Sequence, residues 1–353
     1  MSILGIHHVT MVSAYAQRTV DFYQSILGLR LIKKTVNFDD TGSYHLYFGN
    51  ENGTPGTLLT FFEWGDAQRG HWGIGTTHHI ALIVESLEAQ MKWKRRLTDR
   101  SVRVTGPYNR NYFRSIYFAD PDGLILEIAT RGPGWTIDEA SDVLGTTVIP
   151  PPEELRKGGR DEALIAQMNW PEPVEEISPD MKLQGIHHIT AIASDIERTT
   201  SFYADFLGLR TVKKTLNYDD LSAPHYYFGI GDGQPGTIIT YFGYPDGTMR
   251  KGKVGTGMTH HFAFAVKGPE EQLEWRDKLR SVGLQVTTVM DRKYFRSIYF
   301  NDPDGHILEI ATNGPGFLVD EDKDSLGKSL SLPVWLERHR TEIESSLTPI
   351  YVP

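Results

Sequence analysis

The sequence predicts an α+β fold built from four copies of one β-α-β-β-β module, and three observations predict it. The chain repeats itself: GIHHVTMVSAYAQRTVDFYQSILGLRLIKKTVNFDD from Gly5 returns as GIHHITAIASDIERTTSFYADFLGLRTVKKTLNYDD from Gly185, at an offset of 180. Farther on, NYFRSIYFADPDGLILEIATRGPG from Asn111 returns as KYFRSIYFNDPDGHILEIATNGPG from Lys293, at an offset of 182. A small insertion or deletion therefore falls between about residues 62 and 78 of a tandem duplication. Each half also divides, because IHHVTMV and THHIALIV open two modules in the first half, and IHHITAI and THHFAFAV do so in the second.

Each opening is a short β-branched and aromatic run, which reads as a strand. In module 1, Val20, Phe22, Tyr23, Ile26 and Leu27 follow at helical spacing, and Gly28 supplies the stop. Module 2 has Leu87, Met91, Trp93 and Leu97 in the same role. SYHLYFGN and TLLTFF then read as strands of module 1, RSIYFAD and LILEIAT as strands of module 2. Asp-Pro-Asp-Gly at 120–123 and 302–305 supplies the turn between the last two. The Pro- and Glu-rich stretch around PPPEEL and NWPEPVEE reads as a linker or wrapping arm. The expected organisation is a two-module domain over 1–135, an arm over 136–180, a second two-module domain over 181–319 and a C-terminal arm over 320–353. The two arms resemble each other, so the second is a relic of the same duplication.

The bulk properties exclude several classes. Forty-five acidic against 36 basic residues give a net charge of −9, which argues against a nucleic-acid footprint. No run approaches the roughly 18 apolar residues of a membrane-spanning helix. The start, MSILGIHHVTMVSA, lacks a basic region and begins like a strand, so no signal peptide and a cytoplasmic location are expected. Zero cysteines exclude disulfides, thiolate metal sites and thiol nucleophiles.

Thirteen histidines remain, and eight of them form four adjacent pairs: His7-His8, His78-His79, His187-His188 and His260-His261. Strand alternation sends one imidazole of each pair to each sheet face. In modules 2 and 4 the last strand carries a glutamate inside an apolar run, Glu127 and Glu309, where a carboxylate needs a partner or a metal. Structural histidines, and a salt bridge to Arg114 or Arg296, are the bland alternatives. Aligning the modules through the turn glycine places Thr60 and Thr240 where modules 1 and 3 would have that glutamate. One His/Thr module paired with one His/Glu module gives two histidines and one carboxylate. That donor set suits a non-haem Fe(II) with open positions, and Mn(II) equally.

These residues resemble the vicinal oxygen chelate superfamily, whose βαβββ modules pair into half-open barrels around a metal. The resemblance spans about residues 3–318. It rests on the HH strand openings, the LGLR after each first helix, PGT before the third-strand threonine, and the DPDG-x-x-L-E ending. Within the superfamily the chain is most similar to bacterial ring-cleaving dioxygenases of the hydroquinone type, on YHLYFGN–GTPGT and the SLG…LPVWLE arm. That resemblance implies an iron held by His8, His261 and Glu309, and the more distant catechol enzymes imply His188, His261 and Glu309. Here the complementary set His188, His79 and Glu127 is also intact, so a second metal is an open expectation.

The implied activity is cleavage of a hydroquinone- or catechol-type diol by O2, in aromatic or quinone detoxification. Acid–base work would fall to Tyr299 (or its copy Tyr117), His260 or His7, and Arg292 or Arg296 would hold the substrate oxyanion. Strand alternation places His7 and His260 away from the metal unless the strand is kinked. A protein that meets thiol-alkylating quinones also gains from having no cysteine. The alternatives are a glyoxalase-like isomerase or lyase, disfavoured by Thr60 and Thr240, and a metal-binding resistance protein without catalysis. Barrel edges of this kind suit a homodimer.

Overall fold

Among the residues the computed structural model describes, 1–352, sixteen strands carry the fold, four to a module. Module 1 supplies β1 (Gly5–Ser13), β2 (Arg30–Asn37), β3 (Asp40–Gly49) and β4 (Leu58–Glu63). Module 2 supplies β5 (Thr77–Val84), β6 (Thr105–Asn109), β7 (Arg114–Ala119) and β8 (Ile125–Thr130). Module 3 follows with β9 (Ile186–Ala193), β10 (Arg210–Asn217), β11 (Asp220–Gly229) and β12 (Ile238–Gly243). Module 4 closes with β13 (Met258–Val266), β14 (Met290–Asp291), β15 (Arg296–Asn301) and β16 (Ile307–Thr312). The predicted α+β class and the fourfold module are what is found.

The strands form two eight-stranded sheets, ordered β14-β15-β16-β13-β1-β4-β3-β2 and β10-β11-β12-β9-β5-β8-β7-β6. Each curls into a half-open barrel whose two modules meet through their first strands, β1 against β13 and β5 against β9, both antiparallel. Module 1 thus pairs with module 4, and module 2 with module 3. The first compact unit joins Met1–His71 to Val254–Asp302 and the chain from His306 onward; the second is Trp72–Lys253 with Pro303–Gly305. The sequence segments 1–135 and 181–319 therefore do not coincide with the compact units. All four first strands carry the same apolar and histidine pattern, so local preference alone does not choose among pairings.

Local chemistry holds each element. The predicted helix of module 1 starts at Ala16 and widens to a π-helical turn over Asp21–Ile26, with adjacent Phe22 and Tyr23 both buried. In module 2 the helix Leu87–Asp99 is capped by Ser86, whose hydroxyl accepts from the Ala89 amide. Gln90, wholly buried in that helix, donates to the carbonyls of Arg114 and Ile128 at 2.8 and 2.7 Å. Gln272 does the same to Arg296 and Ile310. These bonds tie helix to sheet next to the strands that carry the glutamates. At the predicted turns, Asp120 Oδ1 accepts from the Asp122 and Leu124 amides, and Gly123 takes φ +90°, which a side chain would strain.

The arms cover sheet edges. Val148 bridges to Lys214 on β10 in the second unit, and Leu330 bridges to Lys34 on β2 in the first. An open edge strand invites pairing with another chain, so this cover matters. A fully buried lysine clamps each arm. Lys213 reaches Asp138 at 2.6 Å and also Glu139; Lys33 reaches Asp320 at 2.9 Å and also Glu321.

Candidate metal centres

At the middle of each sheet the two central strands bring histidines from both modules to one glutamate. In the first unit His8 Nε2 lies 3.3 Å and His261 Nε2 3.0 Å from Glu309 Oε2. In the second, His79 Nε2 lies 3.0 Å and His188 Nε2 3.5 Å from Glu127 Oε2. All six side chains are buried. The arginine alternative does not hold. Glu309 Oε1 accepts from Ser297 Oγ at 2.5 Å and Glu127 Oε1 from Ser115 Oγ at 2.6 Å, each serine one strand away. The remaining oxygen, Oε2 in both, has no hydrogen-bond partner.

The histidine pairs do not obey simple alternation. The pairing of β1 with β13 skips His7 and His260, and that of β5 with β9 skips His78 and His187. Every first-position histidine is the extra residue of a β-bulge. The bulge twists the strand so that neighbouring rings meet. Nδ1 faces Nδ1 at 2.9 Å in His7–His8 and His187–His188, and at 2.8 Å in His78–His79 and His260–His261. The expectation that the first histidines point away is thus corrected: each meets its neighbour's Nδ1, and His78 also lines the cavity over its centre.

The donor set fits a divalent cation. If the second histidine donates its Nδ1 proton to the first, its Nε2 offers a lone pair to the centre. Two imidazole lone pairs and a carboxylate oxygen then converge on one point, which is repulsive unless a cation sits there. Ligand atoms about 2.1 Å from a common metal at right angles stand about 3.0 Å apart, close to the spacing found. Burial lowers the pKa of His261 and His79, keeping them neutral.

The surroundings also repeat. Tyr299 lies directly across from Glu309 on the neighbouring strand, with its ring 5.4 Å from His261, and Tyr117 sits likewise across from Glu127. The Arg292 guanidinium lies 5.5 Å from the Tyr299 ring and pairs with Asp39; Arg110 lies 5.5 Å from Tyr117 and pairs with Asp219. Arg296, the other arginine candidate, is exposed and does not line the cavity, because it alternates with Ser297 and Tyr299 on β15. His7 and His260 do not line it either.

Among the residues that escaped the sequence reading are His45 and His225, and Arg110, the second unit's counterpart of Arg292. In the second unit Tyr227 Oη meets His225 Nδ1 at 3.0 Å, His225 Nε2 meets Thr240 Oγ1 at 2.9 Å, and Thr240 donates to Thr190 at 2.9 Å. Tyr47, His45, Thr60 and Thr10 form the same chain in the first unit. The thirteen-histidine count held these two from the start. Their signal was the i, i+2 spacing of His45 with Tyr47 inside an apolar strand. Burial drives both imidazoles well below their ordinary pKa, so they are neutral.

What differs is space. A cavity of about 490 Å3 lies over His79 and His188, walled by Tyr117, Phe242 and arm residues including Arg160. Over His8 and His261 the cavity is about 20 Å3, room for a water but not for a ring.

Comparison with known proteins follows the same lines. The profile of the Glyoxalase/Bleomycin resistance protein/Dioxygenase superfamily matches residues 5–128 and 185–310. A Bacillus subtilis (strain 168) protein named "Putative ring-cleaving dioxygenase MhqO" is 35% identical over 353 residues, covering 99% of this chain and 97% of the relative. The "Chlorohydroquinone/hydroquinone 1,2-dioxygenase" of Sphingobium indicum is 30% identical over 348 residues, covering 96% and 94%. Among solved structures, a "putative dioxygenase from Bacillus subtilis subsp. subtilis str. 168" superposes with a TM-score of 0.80 at 34% identity, covering 100% of this chain and 99% of that one.

Proposed function

The chain belongs to the Glyoxalase/Bleomycin resistance protein/Dioxygenase superfamily, and from that premise we propose that it is a metal-dependent dioxygenase that opens hydroquinone- or catechol-type rings with O2. The observation that carries this reading is a pair of His-His-Glu clusters, each with three protein donors and a carboxylate oxygen left without a hydrogen-bond partner. Three donors leave coordination positions open for substrate and O2 together. His8, His261 and Glu309 would hold one metal, His79, His188 and Glu127 another. Turnover belongs to the second, where an aromatic ring has room.

When bound, Fe(II), or Mn(II) in its place, supplies the one-electron oxygen chemistry that no side chain performs. The protein's own residues do the rest. His78 and His187 orient the ligand imidazoles and fix their tautomers, as His7 and His260 do in the first unit. The walls formed by Phe113, Phe242 and Tyr227 hold the ring and exclude water. A diol that binds by one hydroxyl must release its proton. Tyr227 Oη, at the cavity face and hydrogen-bonded to neutral His225, is placed to accept a hydrogen bond from that hydroxyl. Burial works against the charge of Arg110, but the carboxylates of Asp219 and Glu127, with a hydrogen bond to the Tyr117 hydroxyl, outweigh it, so a fixed cation faces the substrate oxygens. Tyr117 stays protonated, because burial pushes its pKa above the ordinary value.

A glyoxalase-like isomerase would want a second carboxylate per centre. Thr60 and Thr240 stand in those places and are engaged by His45 and His225. The test is anaerobic Fe(II) loading followed by O2 uptake with hydroquinones and catechols. Uptake coupled to diol loss is expected. No uptake with any diol, while methylglyoxal–thiol adducts turn over, would overturn the reading.

A further inference from the structure

Behind the second unit's centre lies a separate cavity of about 220 Å3. Its walls come from Tyr112 and Phe113, from Gly134 to Thr136, from His187, and from Asp232 to Pro235, with the exposed Arg131 at the rim. Phe113 is the one lining residue that it shares with the 490 Å3 cavity in front. The Phe113 ring centroid is 4.9 Å from that of His187 and 5.3 Å from that of His188. His187 lines the rear cavity, His188 the front one, and the two imidazoles meet at 2.9 Å. At this point the wall between the cavities is one phenyl ring beside one hydrogen-bonded imidazole pair.

The rear chamber is aromatic on its inner side. Trp135 packs 5.9 Å from Phe113, and its indole N–H is spent on the Gly233 carbonyl at 2.8 Å, which fixes the far wall. A small apolar molecule partitions readily into space lined by such rings, as engineered apolar cavities that bind xenon show. A ring-cleaving centre needs two reactants at one metal, and a diol seated in the front cavity covers that approach.

The geometry points to the rear cavity as a binding site and access route for O2, with Phe113 as the gate, so that diol and O2 arrive from opposite sides. This assignment rests on the reading of the centre as an O2-using one. It gives the duplicated wall an asymmetric use: the polar reactant passes the arm side with Arg110 and Arg160, and the apolar one passes the Phe113–Trp135 side.

The test uses the full chain. Crystals pressurised with xenon should show it against Phe113 and Trp135 in the rear cavity. Thr136→Trp and Gln234→Trp place bulk at the outer walls, at exposed positions where folding tolerates the change. Each should raise KM for O2 by about fivefold while KM for the diol and the metal content stay unchanged. Phe113→Leu, which thins the gate, should lower KM for O2. Normal turnover with an unchanged KM for O2 in both tryptophan variants would overturn this inference and leave the dioxygenase reading standing. Xenon absent from the rear cavity would overturn it as well. An unaltered protein that consumes no O2 with any diol would overturn both.

Discussion

The two centres have the same ligands, the same serine on the glutamate, the same histidine pairs at bulges and the same Tyr-His-Thr-Thr chain, yet one opens on about 490 Å3 and the other on about 20 Å3. The difference lies one layer out. In the second unit Tyr108 stands beside Arg160, whose guanidinium lies 4.3 Å from the ring, and the arm becomes a cavity wall. In the first, Met290 occupies the equivalent of Tyr108 and touches Arg292, while Trp335 of the C-terminal arm packs edge-on against Phe38. A ligand set can be copied by duplication, whereas the space above it is set by side chains that diverge freely. On the proposed function, metal binding and turnover would therefore be separable in this chain.

The largest effect should come from removing one carboxylate at a time. Glu127→Ala should cut turnover by about a thousandfold. Glu309→Ala should leave most of it, with each variant losing half the bound metal by elemental analysis. Turnover lost only in Glu309→Ala would reverse the comparison.

The arm clamps are expected to be equal where the cavities are not. Lys213→Met and Lys33→Met each strand two acidic side chains around a buried site, so each should cost about 3–5 kcal/mol in urea unfolding. Beyond stability, only the Lys213 change should raise KM for the diol, since only that arm walls a substrate cavity.

Acid sensitivity should likewise fall equally on both units in the metal-free protein. Burial lowers His7 and His260 in the first unit, and His78 and His187 in the second, to a pKa of about 3. The unfolded chain takes up these protons near pH 6.5 and the folded chain not until near pH 3. Stability is therefore full above about pH 6.5 and declines as pH falls toward 3. At pH 5 the loss should be on the order of 1–2 kcal/mol for each histidine. A urea midpoint that does not move between pH 7.5 and 5 would mean that these imidazoles are charged or solvated.

A local effect, confined to one centre at a time, should come from the second layer. His187→Ala and His7→Ala leave the ligands in place but free their rings, so metal affinity at the corresponding centre should fall by about 10–100-fold in chelator competition. Rescue by the His→Asn change, which keeps a hydrogen-bond partner, would separate orientation from a general loss of fold.

Much of this was legible in the chain. The repeat at 180 and the Asp-Pro-Asp-Gly turns gave the modules their boundaries. A glutamate inside Leu-Ile-Leu-Glu-Ile at 124–128 and His-Ile-Leu-Glu-Ile at 306–310 marked each centre, because a buried carboxylate has few alternatives. Alternation failed at His7, His78, His187 and His260, since a bulge arises where two strands meet and neither strand encodes it alone. His45 and His225 went unassigned because a single histidine in an aromatic strand has no partner visible in sequence. Their threonine partners lie across a strand pairing.

By itself, then, the sequence determined the module, its fourfold copying and the His-His-Glu donor chemistry, all of which depend on residues near one another along the chain. Tertiary structure alone decided that module 1 pairs with module 4 and module 2 with module 3, that adjacent histidines meet, and that one centre has room for a ring. The physical reason is the same in each case. Pairing, bulges and cavity volume are differences between close-packed alternatives of similar local energy, and only contacts distant in sequence break the tie.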